Sequence, residues 1–207
     1  MYFRMLEDPA RAAVTYLLAD LERGEAVLID PRPGDLPLLR AMLAEQHLAA
    51  VAVLRTHAHA AMPPAEDCAR ALGCAAAAPG DGALLSFGDQ LLRVLATPGH
   101  TAGCTSYAWR DRIFCGDLLS VRECPDLPRP QCPQALWDSA QRLFRWPAET
   151  LLFPAHAPRG RGVSTVAEQR RSHPWLATPS RDECLRRIAA DTACPATPAP
   201  TCQEVPA

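Results

Sequence analysis

The sequence predicts a mixed α/β fold whose strands carry polar residues to one edge. Three patterns predict it. Short aliphatic and β-branched runs alternate with Gly, Pro and acidic turn residues over much of the chain. Two segments, 35–47 and 134–145, place leucines and other apolar residues at helical spacing. Four apolar runs end in a histidine or an aspartate, and Gly or Pro punctuates the approach to the last three of these.

Residues 1–6, 13–19 and 25–30 are expected as strands, with Glu22-Arg23-Gly24 turning the second into the third, which gives an antiparallel opening sheet. Leu36, Leu38, Leu39, Met42 and Leu43 make 35–47 an amphipathic helix on that sheet, and His47 near its end reads as a solvated residue. Val51 to Leu54 form a buried strand that empties into Thr56-His57-Ala58-His59. Pro63-Pro64 opens a helix running to about Leu72, since proline is tolerated in a first turn. Strands are expected at 74–78, 84–88, 91–96, 104–109 and 112–115, the last two forming a hairpin at Arg110-Asp111. Prolines 125, 128, 130 and 133 forbid a helix and leave an extended loop over the rim. Helix 134–145 and strand 151–153 follow. Two capping boxes, Thr165 to Glu168 and Ser180 to Glu183, start two further helices, and His173 before Pro174 ends the first of them. The tail from 193 to 207 is Pro, Ala and Thr with little to bury, and is expected to be disordered.

With 207 residues, 48% hydrophobic and 21% charged, the chain can bury one large core. A net charge of −2 with no basic stripe argues against nucleic acid as a partner. No apolar run approaches the roughly 20 residues that cross a bilayer, and the first seven residues show no secretory signal. Nine cysteines, an odd number without a C-x-x-C, are expected to be reduced thiols in a cytoplasmic protein, with Cys104 and Cys115 in the core.

The strand-end residues point to a metal. Neutral imidazole is a strong ligand for zinc or iron, and two histidines separated by one residue can aim at one side of a cleft. In order along the chain stand Thr56-His57-Ala58-His59, Thr97-Pro98-Gly99-His100-Thr101-Ala102-Gly103, Phe114-Cys115-Gly116-Asp117 and Pro154-Ala155-His156. This series resembles the metallo-β-lactamase fold, and within it the branch of persulfide (sulfur) dioxygenases related to glyoxalase II. The resemblance covers the chain from Met1 to about Leu176.

It implies a four-layer αββα sandwich over 1–178, with the 179–192 helix added behind it. It also implies a single Fe(II) held by His57, His100 and Asp117, with Zn(II) as the alternative. Two imidazoles and one carboxylate on one face leave coordination positions open for a persulfide sulfur and dioxygen. His59 and His156 are then expected to act beside the metal, and Arg122, Cys124 and Arg159 to meet the substrate. That substrate is a small-molecule thiol persulfide, a glutathione-derived one being the family's usual choice, oxidised to sulfite. A homodimer is compatible with this reading.

The chain departs from the pattern at several positions. Hydrolases of the fold carry T-H-x-H-x-D-H, and here the last Asp and His are Ala61 and Met62. A methyl group and a thioether cannot replace a carboxylate and an imidazole around a hard divalent ion, which disfavours a two-metal hydrolase. A glyoxalase II-like zinc thioester hydrolase is therefore the second reading. In the family's R-x-C-x-R-T-D loop Asp126 replaces the second Arg, reversing a charge that would face a carboxylate. Ala157 also replaces the Asp of P-A-H-D-Y. These substitutions motivate a third reading, a catalytically silent relative.

Overall fold

The computed structural model describes residues 2–60, 62–157 and 161–191. The Arg159 expectation, Ala61 and the 193–207 tail lie outside them. Strands β1 (Tyr2–Asp8), β2 (Ala13–Asp20) and β3 (Glu25–Ile29) pair antiparallel, as their turn residues direct. The chain then crosses through α1 (Leu36–Glu45), so β4 (Ala49–Leu54) joins β3 in parallel. Helix α2 (Ala65–Leu72) makes the second crossover, and β5 (Ala75–Ala77) lies parallel to β4. The first sheet runs β1-β2-β3-β4-β5.

The second sheet holds β6 (Leu84–Phe87), β7 (Gln90–Ala96), β8 (Thr105–Trp109), β9 (Arg112–Gly116), β10 (Leu151–Pro154) and β11 (Ser164–Thr165), in the order β11-β10-β9-β8-β7-β6. Helix α3 (Pro133–Leu143) carries the crossover that makes β10 parallel to β9. Strand β11 was not expected from the sequence: two residues have no periodicity of their own, and pairing with β10 alone defines them. Helices α4 (Val166–Ser172) and α5 (Arg181–Ala190) are the last elements among the described residues. Each is capped as its sequence requires, Thr165 Oγ1 accepting from Glu168 N and Ser180 Oγ from Glu183 N.

Burial separates into three slabs, which define the layers. Leu39 and Leu43 of α1 and Ala69 of α2 pack on Leu17, Leu28 and Val53 of the first sheet. Between the sheets lie Tyr16, Ile29, Phe87, Trp109, Phe114 and Phe153, with the Tyr16 and Phe114 ring centroids 4.9 Å apart. Leu136, Ala140 and Leu143 of α3, with Val166, Cys184 and Ile188 of α4 and α5, cover the far face of the second sheet. The order is helices, sheet, sheet, helices: the four-layer αββα sandwich. Burying an aromatic between the sheets contributes on the order of 2–3 kcal/mol per side chain, so the middle slab fixes how the sheets face each other.

Cys104 and Cys115 are buried core thiols, and six described cysteines are free. Cys132 is disulfide-bonded. For Cys132 this corrects the expectation of reduced thiols, which rested on cysteine count and spacing.

Candidate metal centre

The first ligand is set by a relay that begins on β3. Asp30, just past that strand, adopts a positive φ of 52° and turns its carboxylate toward the end of β4. There it accepts from Thr56 N at 2.8 Å and from the Thr56 hydroxyl at 2.6 Å. Having given its one proton to Asp30, the hydroxyl can only accept from His57 Nδ1–H, at 2.9 Å. His57 Nε2 is then the unprotonated nitrogen, and it points inward.

His100 arrives on the turn after β7. Its Nε2 lies 3.1 Å from the Leu127 carbonyl, which can only accept, so Nδ1 is left bare. Gly99 is required before it. Its φ is 148°, and a Cβ there would sit 2.4 Å from Leu136 Cα of α3. Ser139 Oγ donating to the Pro98 carbonyl at 2.7 Å ties the same turn to that helix.

Asp117 follows β9. Gly116 before it has φ 57°, and a Cβ there would meet Thr56 Cβ at 2.6 Å, so only glycine lets the two loops approach. Asp117 Oδ1 accepts from Ser120 Oγ at 2.9 Å and from His156 Nδ1 at 2.8 Å. Oδ2 is left free. It lies 3.2 Å from His57 Nε2 and 3.6 Å from His100 Nδ1, and the three donor atoms form a group within 4.8 Å of one another.

All three of those atoms are buried without a hydrogen-bond partner. Two bare imidazole nitrogens and a carboxylate oxygen aimed at one point are lone pairs facing lone pairs, a costly arrangement unless a cation sits among them. The residues therefore fit a metal ion on an observation of the site itself. Burial opposes ionisation of Asp117, but His57, His156 and His100 outweigh it and hold the carboxyl well below its usual range. Burial lowers His100 to about 4, with Asp117 opposing, so its ring is neutral and available as a ligand.

The other expected residues fall into two groups. His59, His156 and Cys124 are brought to the centre. Buried Cys124 has Sγ 3.7 Å from His59 Nε2 and close to Asp117 and His156. Burial, reinforced by Asp117, pushes this thiol up to about 12. Burial also lowers His59, whereas His156 is raised because Asp117 overrides its burial.

Arg122 is not brought there, which corrects its expected role in meeting the substrate. It pairs with Asp191 at 3.0 Å, lies over the Trp175 ring, and does not line the cleft. A cleft of about 340 Å³ opens onto His57, His59 and His156. Asp126, the residue of reversed charge, lines its mouth and pairs with Arg11 at 3.3 Å. Asp30, Thr56 and Ser120 were not singled out from the sequence. Thr56 does stand within a motif stretch, but nothing in that motif links it to Asp30.

No protein-family model matches the chain. Human mitochondrial persulfide dioxygenase ETHE1 is 34% identical over 190 residues, a match covering 84% of this chain and 75% of the human protein. The chain belongs to the persulfide dioxygenase family. ETHE1 from Myxococcus xanthus superimposes with a TM-score of 0.83 at 33% identity, covering 93% of this chain and 92% of that one. A Staphylococcus aureus metallo-β-lactamase, at 20% identity and TM-score 0.79, shares the fold. Hydroxyacylglutathione hydrolase from Synechococcus is 32% identical over 68% of this chain and 63% of its own length. Among the described residues, no helix is long and apolar enough to cross a membrane.

Proposed function

We propose that this chain is a persulfide dioxygenase using a single Fe(II) held by His57, His100 and Asp117. The observation that carries the reading is the convergence of three buried, partnerless donor atoms from one carboxylate and two imidazoles. An iron ion there would supply dioxygen activation and an anchoring point for the persulfide sulfur. The overall change is RSSH + O2 + H2O → RSH + sulfite + 2H⁺.

The chain's own residues prepare the site for this. The Asp30–Thr56–His57 relay fixes one imidazole, the Leu127 carbonyl fixes the other, and Ser120 and His156 hold the outer oxygen of Asp117. His59 and His156 line the cleft together with His57, and the buried Cys124 thiol lies 3.7 Å from His59 Nε2. Positions 61 and 62 offer no second-metal ligand of the hydrolase type, which favours oxidation over thioester hydrolysis.

The test is anaerobic loading with one equivalent of Fe(II), followed by oxygen-uptake and sulfite measurements with cysteine and glutathione persulfides. The same protein loaded with zinc is assayed against a hydroxyacyl thioester. Oxygen uptake matched by sulfite is expected. Thioester turnover with zinc, and only background oxygen uptake with iron, would replace the reading with a hydrolase.

A further inference from the structure

The charged residues lining the cleft divide into those already engaged by the fold and those left for a ligand. Arg32 belongs to the fold. It makes a two-point contact with Asp35 at 2.7 and 2.8 Å, reaches the Ala13 and Leu6 carbonyls, and lies 3.7 Å from Asp8. The Asp30 carboxylate is taken by Thr56. Arg55 is different. Its guanidinium has the Pro63 carbonyl as partner at 3.3 Å, and no carboxylate within ion-pair distance among the described residues. It stands two residues before His57, and Tyr107 holds its backbone carbonyl at 2.7 Å, so its origin is rigid relative to the metal ligands.

Asp126 lines the same cleft, and among the described residues its ion-pair partner is the exposed Arg11. A mouth pair of this kind is worth little to stability, so its members are available to a ligand. The cleft lining thus offers an uncommitted cation and an exchangeable anion. In the family's loop pattern the second position is an arginine; here its charge is reversed.

Building on the dioxygenase reading, we propose that the substrate is a small zwitterionic amino-acid persulfide of the cysteine type. Its carboxylate is held by Arg55 and its ammonium by Asp126, which exchanges Arg11 for the ligand. This assigns two specificity residues at the cleft mouth and accounts for the reversed charge at position 126. Asp126 repels a carboxylate and attracts an ammonium, so a carrier with both charges on one carbon, and no second carboxylate for Asp126 to repel, is the ligand that suits both residues.

The experiment separates recognition from chemistry. Binding to the iron-loaded protein is measured by anaerobic calorimetry with four thioethers: S-methylcysteine, carrying both charges; 3-(methylthio)propionate, carboxylate only; 2-(methylthio)ethylamine, ammonium only; and 2-(methylthio)ethanol, neither. Oxygen uptake is measured in parallel with the matching persulfides. S-methylcysteine is expected to bind tightest. Arg55→Gln should weaken both carboxylate ligands about 10-fold while leaving the other two unchanged, and Asp126→Asn should do the same for the two ammonium ligands. Thermal melts confirm that each variant is folded. Equal binding of all four thioethers, or equal loss across them in either variant, would overturn the proposal. Charge-selective binding without oxygen uptake from any persulfide would uphold Arg55 and Asp126 as the zwitterion-recognising pair while overturning the dioxygenase reading.

Discussion

Thr56 supports the centre without touching an ion. It spends its one proton on Asp30 and its lone pair on His57, so a single hydroxyl decides which imidazole nitrogen faces inward. Thr56→Val keeps the shape and removes both contacts. Metal affinity should fall about 10- to 100-fold, measured by competition with a chromophoric chelator, with a loss of roughly 1–3 kcal/mol in folding stability for the buried carboxylate left short of partners. Gly116→Ala tests the close approach. The added methyl meets Thr56 at 2.6 Å in a left-handed backbone conformation, so the variant should lose metal affinity and at least about 1 kcal/mol of stability in urea unfolding. The three proposed ligands were legible because each stands where an apolar run stops. The relay behind them was not, since Asp30 and Thr56 lie 26 residues apart and meet only when β3 and β4 pair. Arg122 misled for a related reason: sequence shows a cation but not its direction, and a 3-10 turn over Val121–Glu123 sends it toward Asp191 and Trp175.

The strands and helices were largely legible because their signals are local: apolar runs, turn residues, helical spacing and two capping boxes. His173 shows where a terminating residue does more than its position indicates. It ends α4, accepts from Trp175 N and Leu176 N at 3.1 Å each, and donates to the Leu119 carbonyl beyond Asp117. Burial lowers its pKa from 6.5 to about 4, against the pull of the Leu119 carbonyl. A histidine kept neutral in the fold takes up its proton more readily when unfolded, so stability is full above about pH 6.5 and declines as pH falls toward 4. The contribution at stake is on the order of 3 kcal/mol. His173→Asn should flatten the fall in urea midpoint between pH 7 and 4.5. A slope equal to that of the parent protein would show that other groups carry the acid sensitivity.

Taken whole, the molecule places its centre on the line where the sheets meet. Asp30 and His57 extend from the first sheet; His100, Asp117 and His156 extend from the second. Backbone bonds cross the same line, from Thr105 N to the Thr56 carbonyl at 2.7 Å, from Val14 N to the Ala155 carbonyl at 2.8 Å and from Ala157 N to the Ala12 carbonyl at 2.7 Å. An ion held only by the folded arrangement should stabilise it by about 2.7 kcal/mol at a free concentration one hundred times its dissociation constant. Chelation should accordingly lower the melting temperature by several degrees, as calorimetry with and without chelator would show.

Because its ligands come from both halves of the sandwich, a bound ion would act as a rivet through two plates. Its departure would be slowed by the need to break contacts to both plates. Its exchange with a labelled pool should therefore keep time with the slowest amide hydrogens of the inner strands rather than with the breathing of the rim loops.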